Sequence, residues 1–103
     1  MPAKKKKTKN DEDRSSIRIG PIDYEIYETP DLNDDGLFDM AEQRIYLQSR
    51  LAPQLKFQTL WHECIHGILF QAGYKDHSER QVDLIAYGVI ALLRDNPELR
   101  ECR

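Results

Sequence analysis

The first half of the chain alternates between apolar and polar positions, which predicts short β-strands. The residues from Ile22 to Glu28 alternate with period two, as in a strand with one buried face. A shorter run from Ser16 to Gly20 precedes them, and the Gly20-Pro21 turn signal predicts a hairpin. Leu37-Phe38, followed by the segment from Gln43 to Gln48, predicts a second hairpin.

The second half contains longer apolar patterns with helical spacing. The segment from Pro53 to Ala72 predicts one helix, because proline suits the first helical position and Gly73 suits the left-handed residue after the last turn. Apolar residues occupy nearly every side, which predicts a helix buried between two layers. One stripe consists of Leu55, Trp61, Ile65, Ile68, Leu69 and Ala72, and the other side carries Phe57, Leu60 and Cys64.

A second helix is predicted to begin at Ser78, which forms a capping-box pattern with Gln81. It runs to about Arg94, before Asn96-Pro97, and a short turn follows over Glu98 to Arg103. Its apolar stripe consists of Val82, Ile85, Ala86, Val89 and Leu93. We therefore expect an α+β fold, in which a short antiparallel β-sheet packs on the first helix and the second, C-terminal helix adds to it.

The chain of 103 residues corresponds to one domain, which we place at residues 16–103. Residues 1–15 predict a disordered tail, since Lys4 to Lys7 and Lys9 are followed by Asp11 to Asp13. A solvated tail is the simpler interpretation of these lysines, and a weak contact with nucleic acid is the alternative. No apolar run is long enough for a membrane span or a signal peptide, so we expect a cytoplasmic protein.

The sequence His62-Glu63-Cys64-Ile65-His66 specifies a chemistry. Histidines four residues apart lie on one face of a helix, where both can reach one metal ion. Glu63 lies roughly 100° further round the helix, where it can take a proton from a metal-bound water. This is the pattern of zinc metallopeptidases. Polar groups on a mostly buried helix cost free energy unless they are paired or bind a metal, which favours zinc over a chance match.

A catalytic zinc ion needs a third protein ligand, and three acidic or imidazole side chains follow closely. Relative to the apolar stripe of the second helix, Glu79 projects about 60° from the centre and Asp83 about 100°. His77 precedes the helix, so its direction is open. Glu79 is therefore the favoured ligand, with Asp83 and His77 as alternatives. A candidate that does not bind the metal can instead orient a histidine through its free ring nitrogen.

A second motif competes with the first, because the segment 31–42 matches the fixed positions of an EF-hand calcium loop. These positions are Asp31, Asn33, Asp35, Gly36, Asp39 and Glu42. An EF-hand needs an entering helix, whereas the residues before this loop alternate like a strand and end in Pro30. Calcium is therefore the second choice, and an acidic surface turn is the simplest interpretation.

Four segments together resemble a known group of proteins. They are Gln43-x-Ile45-Tyr46-Leu47, Thr59 through His66, Glu79-x-x-Val82-Asp83-x-x-Ala86, and Leu93 through Pro97. The pattern, which covers roughly Ile17 to Leu99, resembles the minimal zinc metallopeptidase-like proteins of phages and prophages, distant relatives of the ImmA/IrrE peptidases. The resemblance implies a small zincin in the host cytoplasm whose acidic ligand comes from the following helix, which maps onto Glu79.

The expected function is zinc-dependent peptide-bond hydrolysis of a protein or peptide substrate, with Glu63 as general base on a zinc-bound water. Tyr74, Tyr87 and His77 are candidates to assist the oxyanion. Two other classes of function stay open. One is a catalytically silent, zinc-stabilised binding protein of phage type. The other is a calcium-binding module built on residues 31–42.

Overall fold

The computed structural model describes residues 16–101, so the predicted tail and Cys102 lie outside the described residues. Four strands come first: β1 (Ser16–Ile19), β2 (Ile22–Thr29), β3 (Gly36–Asp39) and β4 (Arg44–Gln48). They are followed by α1 (Pro53–Gln71), α2 (Glu79–Asp95) and a 3-10 turn (Pro97–Glu101). Within the described range, no helix is both long and apolar enough to cross a membrane.

The strands form one mixed sheet in the order β1-β2-β4-β3. Both predicted hairpins are present, because β1 pairs antiparallel with β2 and β3 pairs antiparallel with β4. The pairing of β2 with β4 is parallel, with Ile26 opposite Ile45. The α+β class and the short sheet packed on helices are confirmed, whereas the wholly antiparallel pairing is corrected to a mixed sheet.

The parallel pairing of β2 with β4 places the more deeply buried strand of the second hairpin in the interior of the sheet. Ile45 and Leu47 on β4 are 0% and 2% exposed, whereas Leu37 on β3 is 45% exposed. The chain therefore passes beyond β2 to form the edge strand β3 first, and then returns through a tight turn to place β4 in the interior of the sheet. This arrangement leaves β3 as an edge strand beside α1.

The helix boundaries follow the local signals in the sequence. Pro53 opens α1, and Gly73, with φ of +92°, closes it in the left-handed conformation. The Gly73 N–H donates to the Phe70 carbonyl at 3.1 Å and the Tyr74 N–H to the Leu69 carbonyl at 2.8 Å, which completes a Schellman motif.

Helix α2 starts at the predicted capping box. The Ser78 hydroxyl accepts from the Gln81 N–H at 3.0 Å, and the Gln81 side chain accepts from the Ser78 N–H at 2.9 Å. This cap fixes the first turn of α2, which carries Glu79.

Helix α1 lies between two apolar clusters, as its all-round apolar pattern predicts. Towards the sheet, the buried residues are Ile19, Tyr24, Ile45, Leu47 and Cys64. Towards α2, they are Ile65, Val82 and Ala86, with Trp61 and Leu69 packed against them. Among the described elements, α2 contacts α1 and the terminal turn but not the sheet. The layers are therefore sheet, α1 and α2.

Burial is confined to the middle of each helix. On α1, Phe57 and Ile68 are 54% and 49% exposed, and on α2, Ile85 is 40% exposed despite its predicted place in the core stripe. The reason is that α2 packs against a single neighbouring helix, so only a narrow stripe around Val82 and Ala86 is covered.

Two helical glycines provide a matched test of this packing. A Cβ atom on Gly67 would lie 2.9 Å from Phe38 Cε1 and 3.0 Å from Ile19 Cδ1, whereas one on Gly88 would meet nothing within 4 Å. We expect Gly67→Ala to destabilise the fold by about 1–2 kcal/mol through overpacking. Gly88→Ala should stabilise it by about 0.5–1 kcal/mol, because alanine favours the helix.

Urea unfolding of the two variants beside the wild type measures both effects. Equal stability changes of the same sign would contradict the close contact of α1 with the sheet.

Candidate metal centre

Helix α1 has a third face, which covers neither apolar cluster and opens into a cleft between β3 and α2. His62, Glu63 and His66 lie on this face, because positions 62 and 66 are one turn apart and 63 is adjacent. The first turn of α2 brings Glu79 to the same place. The connector between the helices contributes His77.

The predicted ligand set converges. One ligand atom each from His62, His66 and Glu79 lie within 4.8 Å of one another, and no other such group of three or more His, Cys, Asp or Glu occurs among residues 16–101. His66 Nε2 is 3.2 Å from His62 Nε2 and 3.2 Å from Glu79 Oε2. Tetrahedral zinc ligands at 2.0–2.1 Å stand about 3.3 Å apart, which these two distances match. The third separation, His62 Nε2 to Glu79 Oε1, is 2.7 Å and would lengthen slightly around a zinc ion.

Asp83 and His77, the two other candidates for the third ligand, are hydrogen-bonded to the Nδ1 atoms of the two histidines instead. His62 Nδ1 is 2.7 Å from Asp83 Oδ1, and His66 Nδ1 is 2.8 Å from His77 Nε2. His77 Nδ1 in turn donates to the Tyr74 carbonyl at 2.6 Å. These contacts assign the protons to the Nδ1 atoms, since a carboxylate and a carbonyl only accept. In the metal-free structure His62 Nε2 also faces a carboxylate oxygen, Glu79 Oε1 at 2.7 Å, whereas with a metal bound the Nε2 atoms of His62 and His66 would be the ligand atoms.

The ionisation of these ligands reflects the same contacts. Burial lowers the pKa of His62, but its hydrogen bonds to Glu79 and Asp83 outweigh burial and raise this pKa above the ordinary value. Burial lowers the pKa of His66, reinforced by repulsion from His62 and His77. Burial raises the pKa of Glu79, but the two histidines together lower it. In the metal-free protein, these contacts therefore favour the protonated form of His62.

Among the described acidic residues that line the cleft, Glu63 is the buried one. Its side chain is 6% exposed, and it makes no hydrogen bond or ion pair with any residue in the described part of the chain. Burial raises the pKa of Glu63 to about 7, with His62 opposing this rise and Glu79 and Asp34 adding to it. A buried carboxyl group without a partner costs stability, so its presence indicates a role in binding or chemistry.

The cleft has a volume of about 690 Å³. One wall is the turn before β3 and the start of that strand, including Asp34, Asp35 and Phe38. The opposite wall is α2, with Glu79, Asp83, Ala86 and Tyr87. Sequence reasoning found the second wall and missed the first, because only the tertiary fold brings the turn before β3 beside Glu63.

The calcium-loop alternative finds no support in the geometry. The segment 31–42 contains most of the connection after β2, all of β3 and part of the turn before β4, and it contains no helix. Gly36 lies at the start of β3 without a positive φ, and a Cβ there would lie 2.7 Å from Thr59 Cγ2 and 3.0 Å from Glu63 Oε2. The glycine therefore permits close packing on α1. Glu42, the expected bidentate ligand, accepts from the Tyr46 hydroxyl at 3.0 Å instead.

Cys64 is a core residue and not part of the ligand group, in agreement with its predicted direction. It is 9% exposed, and burial raises the pKa of its thiol to about 11, which keeps it in the unreactive thiol form.

Comparisons with protein-family models, with curated proteins and with solved structures find no match to this chain.

The ligand set is tested by metal content. We expect wild type and Glu63→Gln to retain about one equivalent of zinc after dialysis, and His62→Ala, His66→Ala and Glu79→Gln to lose it, as measured by atomic emission. Zinc at 100 times its dissociation constant should stabilise the wild type by about 2.7 kcal/mol, seen as a rise in melting temperature. Calcium should produce no such rise, and equal zinc content in wild type and His62→Ala would refute the site.

The burial of Glu63 is tested by the pH dependence of stability without metal. Between pH 4.5 and about 7, the unfolded chain loses the Glu63 proton while the folded protein retains it, so stability falls as the pH rises. In EDTA, Glu63→Gln should therefore be more stable than wild type at pH 8, by roughly 1–3 kcal/mol, with the difference shrinking towards pH 4.5.

The exposed change Glu101→Gln serves as the matched control and should follow the wild-type curve. Parallel curves for wild type and Glu63→Gln would show that Glu63 is not held in a desolvated site.

Proposed function

We propose that this protein is a zinc-dependent peptidase. The observation that carries the proposal is the convergence of His62, His66 and Glu79 beside Glu63, a buried residue that faces an open cleft and has no side-chain partner among residues 16–101. Two histidines and a glutamate are a ligand set of catalytic zinc, which leaves one coordination position for a reactant. A structural zinc site would be closed by a fourth protein ligand, and no fourth ligand joins the group in residues 16–101.

A zinc ion in this site would acidify a water molecule and polarise the carbonyl of the scissile peptide bond. The protein residues then divide the remaining tasks. Asp83 and His77 hold His62 and His66 in one orientation and one tautomer through their Nδ1 atoms. The ligand geometry is thereby set before substrate arrives, which reduces the reorganisation needed during reaction.

Glu63 is the general base in this proposal. It accepts a proton from the attacking water as the new C–O bond forms, and it returns that proton to the amine as the C–N bond breaks. In the metal-free protein burial raises the pKa of Glu63 to about 7, and a cation bound beside it would lower this pKa and favour the carboxylate that a general base requires. Tyr87 lines the cleft and supplies a hydroxyl for the oxyanion. Of the two other candidates, Tyr74 is not among the lining residues, and His77 is hydrogen-bonded to His66.

The substrate in this proposal is an extended protein or peptide segment. Strand β3 is an edge strand of the sheet and forms part of the cleft wall through Gly36, Leu37 and Phe38. An extended peptide can pair with such an edge through main-chain hydrogen bonds, which places a peptide carbonyl beside Glu63. The resemblance to phage zincins and the cytoplasmic location remain predictions that accord with this function.

A digest of a peptide library by the zinc-loaded protein tests the activity. We expect cleavage that stops on chelation and returns with zinc, and a loss of roughly 10²–10⁴-fold in kcat for Glu63→Gln at unchanged zinc content. Cleavage by Glu63→Gln at the wild-type rate would assign the activity to a contaminant. No cleavage by the zinc-loaded wild type would favour the silent, zinc-stabilised binding protein.

A further inference from the structure

The proposed chemistry leaves one feature of the cleft without a role, namely Asp34 and Asp35 in the turn before β3, here called the acidic wall. Both residues line the same cleft as Glu63. They immediately precede Gly36, whose backbone lies so close to α1 that an added Cβ would be 3.0 Å from Glu63 Oε2. The wall therefore stands next to the group that would act on the scissile bond.

The acidic wall has no counter-charge within the described structure. Asp34 and Asp35 form no ion pair or side-chain hydrogen bond with any residue from 16 to 101. The other carboxylates of the cleft, apart from Glu63, face imidazoles: Glu79 faces His62 and His66, and Asp83 faces His62. Among the described residues that line the cleft, Lys75 is the one lysine or arginine.

Glu63 is an independent sign that a ligand completes this space. Glu63 as a whole residue is 6% exposed, it has no side-chain partner in the described chain, and it lines the cleft together with the acidic wall and α2. Asp34, Asp35 and Glu63 line the same cleft, so the wall and the reaction centre share one space. A cleft lined by one sign of charge focuses its field and attracts ligands of the opposite sign.

From this arrangement we infer that the cleft selects peptides with a lysine or arginine side chain beside the reacting bond, the cation lying against Asp34 and Asp35. The inference rests on the proposed function and adds its substrate class. A peptide cation there replaces the missing counter-charge of the wall while the peptide backbone follows β3. Acidic peptides would be repelled by the wall and by Glu63.

The test uses the full chain loaded with zinc and a set of matched peptides. Each peptide carries Lys, Arg, Ala or Glu at one position within three residues on either side of the cleaved bond. We expect kcat/KM for the best Lys or Arg peptide to exceed that of its Glu counterpart at least tenfold, and this ratio to shrink as salt rises from 0.05 to 0.5 M.

The double variant Asp34→Asn with Asp35→Asn should lose about tenfold on the Lys peptide, equivalent to about 1.4 kcal/mol, with little change on the Ala peptide. Asp31→Asn is the control, because it removes one negative charge from the same connection at a residue that is not among those lining the cleft. Replacing both wall residues by lysine should reverse the preference towards Glu peptides. Loss on all peptides alike would show a structural role for the wall and overturn the inference.

A binding experiment separates this inference from the proposed activity. Fluorescent Lys and Glu peptides are titrated with zinc-loaded Glu63→Gln, which keeps the wall and, in this proposal, does not cleave. Tighter binding of the Lys peptide, lost in the wall variant, supports the inference even if the wild type hydrolyses nothing. Equal affinity for the two peptides overturns it, even if the wild type is an active peptidase.

Discussion

The structure depends on the burial of α1 on two sides at once. One side of the helix packs on the sheet through Cys64, and another packs on α2 through Ile65. Since α2 does not touch the sheet in the described structure, a gap remains between them, with α1 at its base. Helical geometry then places His62 and His66 at the edge of that gap, because they lie between the two packed faces. The candidate site exists because the sheet and α2 leave one side of α1 uncovered.

The same packing lowers the stability of the fold, because it buries a carboxyl group. Glu63 belongs to the side of α1 that approaches β3, where Gly36 and Thr59 surround it. It is buried without a side-chain partner among residues 16–101, although a small fold of this kind has a low free energy of unfolding. A residue selected only for stability would be apolar here. The position of Glu63 is therefore explained by what it can do in the cleft and not by what it contributes to the fold.

Local signals determine what can be predicted from this sequence. Pro53, Gly73 and the Ser78–Gln81 capping box set the helix boundaries, because each acts on the backbone of its own neighbourhood. The convergence of Glu79 with the histidines was predictable from helix rotation, whereas the roles of Asp83 and His77 were left open. Those roles depend on how α2 is placed against α1, which no local signal specifies.

Contacts between residues distant in sequence account for the differences between the predicted and the observed structure. The parallel pairing of β2 with β4 depends on which hairpin strand buries more apolar surface, so alternation alone suggests a simple antiparallel order. The segment 31–42 has the residues of a calcium loop, but the chain there enters from a strand, and its carboxylates serve other purposes. A motif of side chains has the expected function only when the backbone also has the required conformation.

The carboxylates of the cleft show how environment assigns different roles to one functional group. Glu79 lies between two imidazoles, which lower its pKa and keep it charged, as a metal ligand requires. Asp83 accepts from a histidine ring and orients it. Glu63 is buried and has no partner among residues 16–101, and burial raises its pKa in the metal-free protein. Asp34 and Asp35 lie on the wall with no counter-charge in the described chain, and this arrangement is complementary to a cationic substrate.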